Sequence, residues 1–251
     1  MDMQAFFTMW VLFKKEISGF FSSLTGYVVL VVFLMANSAI MWLFPNQFNV
    51  LENGYATLDA MFAFAPWIFL FLVPAISMRM ISEEKRTGTL DLLNTRPVSD
   101  LQIILAKFFA SWGLIFLSLI PTLIYFWSVS RLGSPPGNID MGGTWGSYVG
   151  LLFLGGIYAA IGVFASSITG NQIVAFILAA LLSFLMLRGF DFLSELAGSG
   201  RTAFFISHLG ISHHYNSISR GVIDSRDIIY FLGVMVLFIM GTRTVLQSSR
   251  W

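Results

Sequence analysis

Long apolar stretches alternate with polar segments along the whole chain. Six stretches are nearly free of charge, at residues 25–44, 61–78, 108–128, 146–167, 172–187 and 228–246. A helix needs about 20 apolar residues to cross the hydrocarbon of a bilayer. Irregular backbone facing lipid would leave its polar groups without partners. The pattern therefore predicts an all-α integral membrane protein with six transmembrane helices.

A further apolar stretch, residues 5–21, has a different pattern. Its apolar side chains recur at helical spacing, but Lys14, Lys15 and Glu16 interrupt them. The stretch is too short and too charged to span a bilayer, whereas a helix of this kind lies well in the interface between headgroups and acyl chains. We therefore predict an N-terminal interfacial helix at residues 5–21.

Composition changes the picture mainly by exclusion. The chain has 251 residues, of which 57% are hydrophobic and 11% charged, against about 45–50% and 25% in soluble domains. This excludes a soluble globular protein and leaves room for one membrane domain, 1–251. The net charge of +1 gives no global field that would attract nucleic acid. The absence of cysteine excludes a thiolate metal site and a cysteine nucleophile.

The distribution of lysine and arginine predicts the orientation. With the N-terminus in the cytoplasm, nine of these residues lie on the cytoplasmic side, at 14–15, 79–107 and 243–250. Five lie on the opposite side, between 131 and 226. Cytoplasmic loops carry the excess of positive charge in membrane proteins. Both termini and segment 79–107 are therefore expected in the cytoplasm.

Two spans carry local signals of their own. Ser99 with Gln102 three residues later is a capping box, which predicts a helix that begins there and runs into the third span. Pro121 inside that span is expected to bend it. Small residues in the fourth span favour close approach of other helices and a central position; they are Gly146, Gly150, Gly155, Gly156 and Gly162.

The sequence carries no motif for an energy source of its own. None of the four lysines follows a glycine, so there is no GxxxxGK phosphate loop. The predicted spans contain essentially no ionisable residue away from their ends, and a proton relay would require such residues. We therefore expect neither ATP binding of that kind nor proton coupling within the chain.

Other polar residues give weak signals. Asn37 and Ser38 in the first span suit either an interhelical hydrogen bond, the commoner role, or a substrate contact. His208, His213 and His214 do not share a helix face and have no carboxylate cluster with them, so packing is favoured over a metal site. Ser147 lacks the GxSxG context of a hydrolase nucleophile. We predict no catalytic residue and no metal ligand.

The densest run of charge is residues 79–107, and it also contains Leu90, Leu92 and Leu93. A solvated loop is the simplest interpretation. Leucines gain nothing from exposure to water, however, so a short helix with one apolar face would suit docking into a groove on another protein.

This segment carries a resemblance to a known family. The stretch SEEKRTGTLDLLNTRPVSDLQIILAKFFA, residues 82–110, resembles the connection between the second and third spans of type 2 ABC transporter permeases. A second stretch, HHYNSISRGVIDSRDIIYFL at residues 213–232, resembles the beginning of that family's last span. The length and the lack of a large outer domain are most similar to the gliding-motility-associated branch, which is close to a branch tied to copper-enzyme maturation.

The resemblance implies a fold, partners and a site. The fold would be that of a type 2 ABC exporter permease in the bacterial inner membrane, paired with a second permease copy or a related subunit and surrounded by lipid. Separate ATPase chains would hold ATP and Mg, so this chain would need no cofactor and have no ATPase site. The residues that couple to the ATPase would be Glu83, Glu84, Arg86, Gly88, Thr89, Leu90, Asp91 and Leu92.

Two other classes stay open at this stage. A membrane scaffold that anchors a cytoplasmic protein would also need a docking segment, but it would move no substrate. A membrane-embedded hydrolase would need a nucleophile and a base within reach of one another. The sequence leaves the substrate, its direction and the choice between a homodimer and a heteromer undetermined.

Overall fold

The structure is a computed structural model that describes residues 3–89, 98–198 and 200–248, with side chains from Phe7 onward. The first half contains α1 (Met3–Ser22), α2 (Leu24–Ser38, extended by a π-helical turn at Ala39–Leu43), α3 (Val50–Asn53), α4 (Asp59–Ser77), α5 (Ser82–Thr87), α6 (Asp100–Leu119) and α7 (Leu123–Leu132). The second half contains α8 (Met141–Ile168), α9 (Gln172–Phe184, extended by a π-helical turn at Leu185–Gly189), α10 (Phe190–Leu196), α11 (Arg201–Ser207), α12 (Ile211–Ser219) and α13 (Ser225–Ser248).

Six helical units in the described ranges are long and apolar enough to cross a membrane. They are Leu24–Leu43, Asp59–Thr87, Asp100–Leu132, Met141–Ile168, Gln172–Leu196 and Ser225–Ser248. Five of them contain one of the six apolar stretches, and the first covers all of its stretch except Phe44. Most extend beyond the stretch because polar residues at the ends continue the helix. The prediction of an all-helical protein with six candidate transmembrane helices is confirmed.

Helix α8 lies at the centre of the bundle. Of its most apolar window, 78% is buried, against 22% for α9 with α10 and 22% for α13. It packs against α4, α6, α9, α12 and α13. The glycines make this possible, because a Cβ at any of the five would meet an atom of a neighbouring element at 3.2 Å or less. These atoms belong to Ile218 for Gly146, Tyr215 for Gly150, Ile115 for Gly155, Met235 for Gly156 and Ser77 for Gly162.

The third span begins with a capped helix and breaks at its proline. The Ser99 hydroxyl accepts a hydrogen bond from the backbone N–H of Gln102, and the Gln102 side chain accepts one from the backbone N–H of Ser99. Helix α6 then ends at Leu119 and α7 begins at Leu123. Pro121 has no N–H to continue the ladder, and the Thr122 hydroxyl donates to the Leu119 carbonyl at 2.6 Å. The span is therefore two helices joined by a turn.

Candidate functional site

The short helix α5 lies at one end of the bundle, directly after α4, within the segment predicted to couple. Its start is held by Ser166, a fully buried residue near the end of α8. The Ser166 hydroxyl accepts hydrogen bonds from the backbone N–H groups of Ile81 and Ser82, both at 2.9 Å, and donates to the carbonyl of Met78 at 2.9 Å. One hydroxyl thus fixes the turn between α4 and α5 on the central helix.

A buried lysine joins α5 to two other helices. Lys107 of α6 is 3% exposed, and its Nζ lies 2.8 Å from Oε1 of Glu84 on α5 and 2.9 Å from Oε1 of Glu16 on α1. A buried ammonium group is stable only when it is paired and hydrogen-bonded. The ion-pair cluster of Glu16, Glu84 and Lys107 therefore ties α1, α5 and the third span together.

The charges of the three cluster residues do not cancel. Two carboxylates face one ammonium group, and the second oxygen of Glu84, Oε2, is buried and has no hydrogen-bond partner among the described residues. A polar cavity of about 280 Å³ adjoins the cluster, and Arg79 and Lys15 contribute positive charge to its lining. Arg79 is held there by a 3.4 Å hydrogen bond to the Ser23 hydroxyl. The cavity between α1 and α5 is thus charged and partly enclosed.

The other side of α5 is free within the described structure. Glu83, Arg86, Gly88 and Thr89 are exposed. Gly88 ends the helix in the left-handed region, with φ of +71°, which a residue with a Cβ adopts only with strain. Leu90, Asp91 and Leu92, the other predicted coupling residues, lie outside the described residues. Among the predicted set, Glu84 differs from its neighbours because it faces inward.

A cleft separates α5 from the turn between α8 and α9. The Lys85 ammonium group donates to the carbonyl of Ser167 at the end of α8, where a cation suits the helix dipole. Arg86 lines the same cleft, which has a volume of about 490 Å³ and is closed on its far side by residues 170–173. At the exposed end of α5, a cleft lined by basic side chains therefore lies beside the acidic Glu83.

The polar pair of the first span makes ordinary structural contacts. Asn37 is buried and donates to the carbonyl of Phe33 in its own helix at 2.8 Å. Ser38 makes an interhelical hydrogen bond of 2.6 Å with the hydroxyl of Tyr125 on α7. The interhelical role thus belongs to Ser38, and the Asn37 bond is intrahelical. The Asn37 Oδ1 atom is buried and meets no hydrogen-bond donor in the described part of the chain.

The three histidine rings do lie together, at the opposite end of the bundle. The ring centres of His208 and His213 are 3.9 Å apart, and those of His213 and His214 are 5.3 Å apart. His214 is buried, with Nδ1 2.6 Å from Asp227 Oδ1 and Nε2 2.9 Å from the His208 carbonyl. Partial burial, with His208 and His214 beside it, holds the pKa of His213 below its ordinary value. Within the described ranges, no group of three histidine and acidic residues could hold a metal ion.

Removing the Asp227 carboxylate should lower the stability of this end of the bundle. In Asp227→Ala, the buried His214 ring loses its acceptor, so we expect the free energy of unfolding to fall by about 1–2 kcal/mol. Thermal unfolding of the purified protein in detergent measures this. Asp227→Asn keeps an oxygen acceptor and should lose less. Equal losses in the two variants would contradict the hydrogen bond as the cause.

Ser147 has a structural contact instead of a catalytic one. Its side chain is buried on α8, and its hydroxyl donates to the carbonyl of Ser219 at 3.4 Å. The described structure therefore gives no support to a hydrolase built on Ser147.

Sequence reasoning missed the partners that hold α5. Ser166 gives no signal, because serine is common in membrane helices and its role depends on a backbone 85 residues away. Glu16 could have been found, since it is the one acidic residue of the predicted interfacial helix. Lys107 at the start of an apolar span required a counter-charge, and Glu16 was a candidate for it.

The candidate site lies in a part of the chain that is similar to a known protein family. The model of one protein family, described as ABC-2 family transporter protein, matches residues 43–192, more than half of the chain. The chain belongs to the ABC-2 transporter family. The matched range covers α4, α5 and the cluster residues Glu84 and Lys107, whereas α1 lies outside it. A search of curated proteins finds no match to this ABC-2 permease.

Membership explains several features of the molecule. An ABC-2 permease domain is the transmembrane subunit of an ABC transporter and typically has no ATPase site of its own. It implies an ATPase partner and a place in a membrane. This agrees with six apolar helices and with a chain that has no phosphate-binding loop.

Proposed function

We propose that this ABC-2 permease is the membrane subunit of an ATP-driven exporter in the bacterial inner membrane, with both termini in the cytoplasm. Segment 79–107 is the coupling segment, and a separate ATPase that binds ATP and Mg docks on it. Two permease copies, or this chain and a related subunit, form the pathway. The lack of a large outer domain between the spans supports a place in the gliding-motility-associated branch.

One observation carries the proposal, namely the two-sided construction of α5. Its inner side is bonded to α6 through Glu84 and to α8 through Ser166, and Lys107 extends the link to Glu16 of α1. On its outer side Glu83 and Arg86 are exposed, as is Thr89 just beyond its end. A force applied to the outer side therefore reaches α1, α6 and α8 at once. Charged groups at the rim of such a contact favour specificity and correct register over affinity.

The coupling leucines provide the direct test. In Leu90→Ala/Leu92→Ala, each truncated side chain forfeits about 1.5–3 kcal/mol of apolar burial in the partner's groove. We therefore expect ATP-dependent transport and permease-stimulated ATPase activity to fall about tenfold or more. The measurement uses the complex purified from native membranes through a tagged permease and reconstituted into liposomes. Membrane insertion should be unchanged.

A matched control separates coupling from general loss of leucine. Leu51 and Leu196 are 65% and 84% exposed and lie on the side predicted to face away from the cytoplasm. Leu51→Ala/Leu196→Ala should keep full activity. Unchanged activity in the Leu90 and Leu92 variant would refute the proposal. An ATPase that binds the chain without any vectorial, ATP-dependent movement of substrate would favour the scaffold instead.

A further inference from the structure

An apolar groove of about 390 Å³ runs between α1, α6 and α8. Its lining includes Trp10, Phe13, Phe109, Trp112, Gly113 and Phe116. The polar atom of Trp112 is already used, because its indole N–H donates to the carbonyl of Leu152 at 2.8 Å. The groove has the size of a small-molecule site, and its chemistry suits a hydrocarbon.

The length of the groove matches one leaflet of a bilayer. It follows α6 from Ala106 to Phe116, about 15 Å along the helix axis at 1.5 Å per residue. The hydrocarbon core of a bilayer is about 30 Å thick, so one leaflet is about 15 Å. Because α6 is part of a candidate membrane span, the groove runs in the direction of a lipid chain.

Positive charge lies beside this groove. Lys14 is exposed on α1, and its ammonium group is 5.4 Å from the ring centre of Trp10, a lining residue. Lys15 instead lines the cavity beside the ion-pair cluster. Glu16, the acidic residue next to them, is already paired with Lys107. Basic residues on an interfacial helix attract anionic lipids.

We propose that the groove binds an acyl chain of an anionic phospholipid, whose phosphate contacts Lys14. Such a lipid would fill the space between α1 and α6 and stabilise the helix that carries Glu16. This site rests on membrane embedding alone, so it stands or falls independently of the ATPase partner.

Photo-crosslinking tests the site on the full chain. The permease is placed in phosphatidylcholine nanodiscs that contain a trace of phosphatidylglycerol with a diazirine on its acyl chain, and labelled residues are mapped by mass spectrometry. The comparison probe has the same acyl chain on a phosphatidylcholine headgroup. Labels should concentrate on residues 9–13 and 106–116, several-fold more with the anionic probe.

Two variants separate the headgroup from the chain. Lys14→Gln should reduce anionic labelling about fivefold and leave the neutral probe unchanged. Gly113→Met should reduce labelling by both probes, because its side chain fills the groove; a Cβ at Gly113 makes only ordinary contacts, the nearest at 3.7 Å. Arg243→Gln, which removes an exposed charge from α13, is the matched control and should change neither.

Three results would overturn the proposal. The first is equal labelling by both headgroups in the unmodified protein. The second is labelling scattered over the exposed faces of α9 and α13 as strongly as over the groove. The third is crosslinking of residues 9–13 to a second copy of the chain in place of lipid.

Discussion

Lys107→Met is expected to lower the free energy of unfolding by about 3–5 kcal/mol, the usual effect of removing one partner from a buried ion pair. The substitution keeps the apolar length of the side chain but leaves the carboxylates of Glu16 and Glu84 facing each other. Both now bond the same nitrogen, at 2.9 and 2.8 Å. Loss of the native elution profile on heating in detergent should begin on the order of 10 °C lower.

Neutralising the whole cluster tests whether unpaired charge causes this loss of stability. In Glu16→Gln/Glu84→Gln/Lys107→Met, no buried charge is left unpaired, so most of the lost stability should return. Arg243→Met removes an exposed positive charge from α13 and should change stability by less than about 0.5 kcal/mol. If the triple variant were as unstable as the single one, packing instead of charge would be the cause.

Gly162→Ala is expected to destabilise the bundle by about 2–3 kcal/mol, in the upper part of the range for overpacked cores. A Cβ at Gly162 would overlap the hydroxyl of Ser77 on α4 and approach its Cβ to 2.6 Å. Helix α8 is buried on most of its surface, so the two helices cannot separate without disturbing other contacts. The same thermal measurement applies.

A compensating substitution tests whether the two helices meet at this point. Ser77→Gly removes the atoms that the new methyl group would overlap, so Gly162→Ala/Ser77→Gly should be more stable than Gly162→Ala alone, in a double-mutant cycle. Gly233→Ala is the matched control, because a Cβ there meets nothing within 4 Å. Destabilisation of Gly233→Ala by the same amount would show that contact with Ser77 is not the reason.

The sequence predicts the parts of this fold that depend on local pattern. Span positions follow from runs of apolar residues, and the helix start at Ser99 follows from a capping motif of four residues. Gly146 to Gly162 mark close contacts because only glycine admits a neighbouring backbone or side chain so near. In each case, the residues that carry the signal are adjacent along the chain or one helical turn apart.

The rest depends on contacts between distant residues. Ser166 meets the start of α5 across 84 residues, and Glu16 meets Lys107 across 91. His214 meets Asp227 because α12 folds back on α13. Spacing along the chain argued against a shared helix face for the histidines, yet the turn between α11 and α12 brings the ring of His208 against that of His213. For the same reason, the inward position of Glu84 cannot be deduced from its neighbours.

The turn at Pro121 separates the third span into two halves that are held by different contacts. Helix α6 is fixed to the cluster at Lys107, whereas α7 is fixed to the first span through Tyr125, whose hydroxyl bonds Ser38 and the carbonyl of Leu34. Between them, residues 120–122 form a joint with shortened hydrogen-bond spacing. A tilt imposed at Asp100 can thus be absorbed at this elbow while the half-helix beyond it keeps its place.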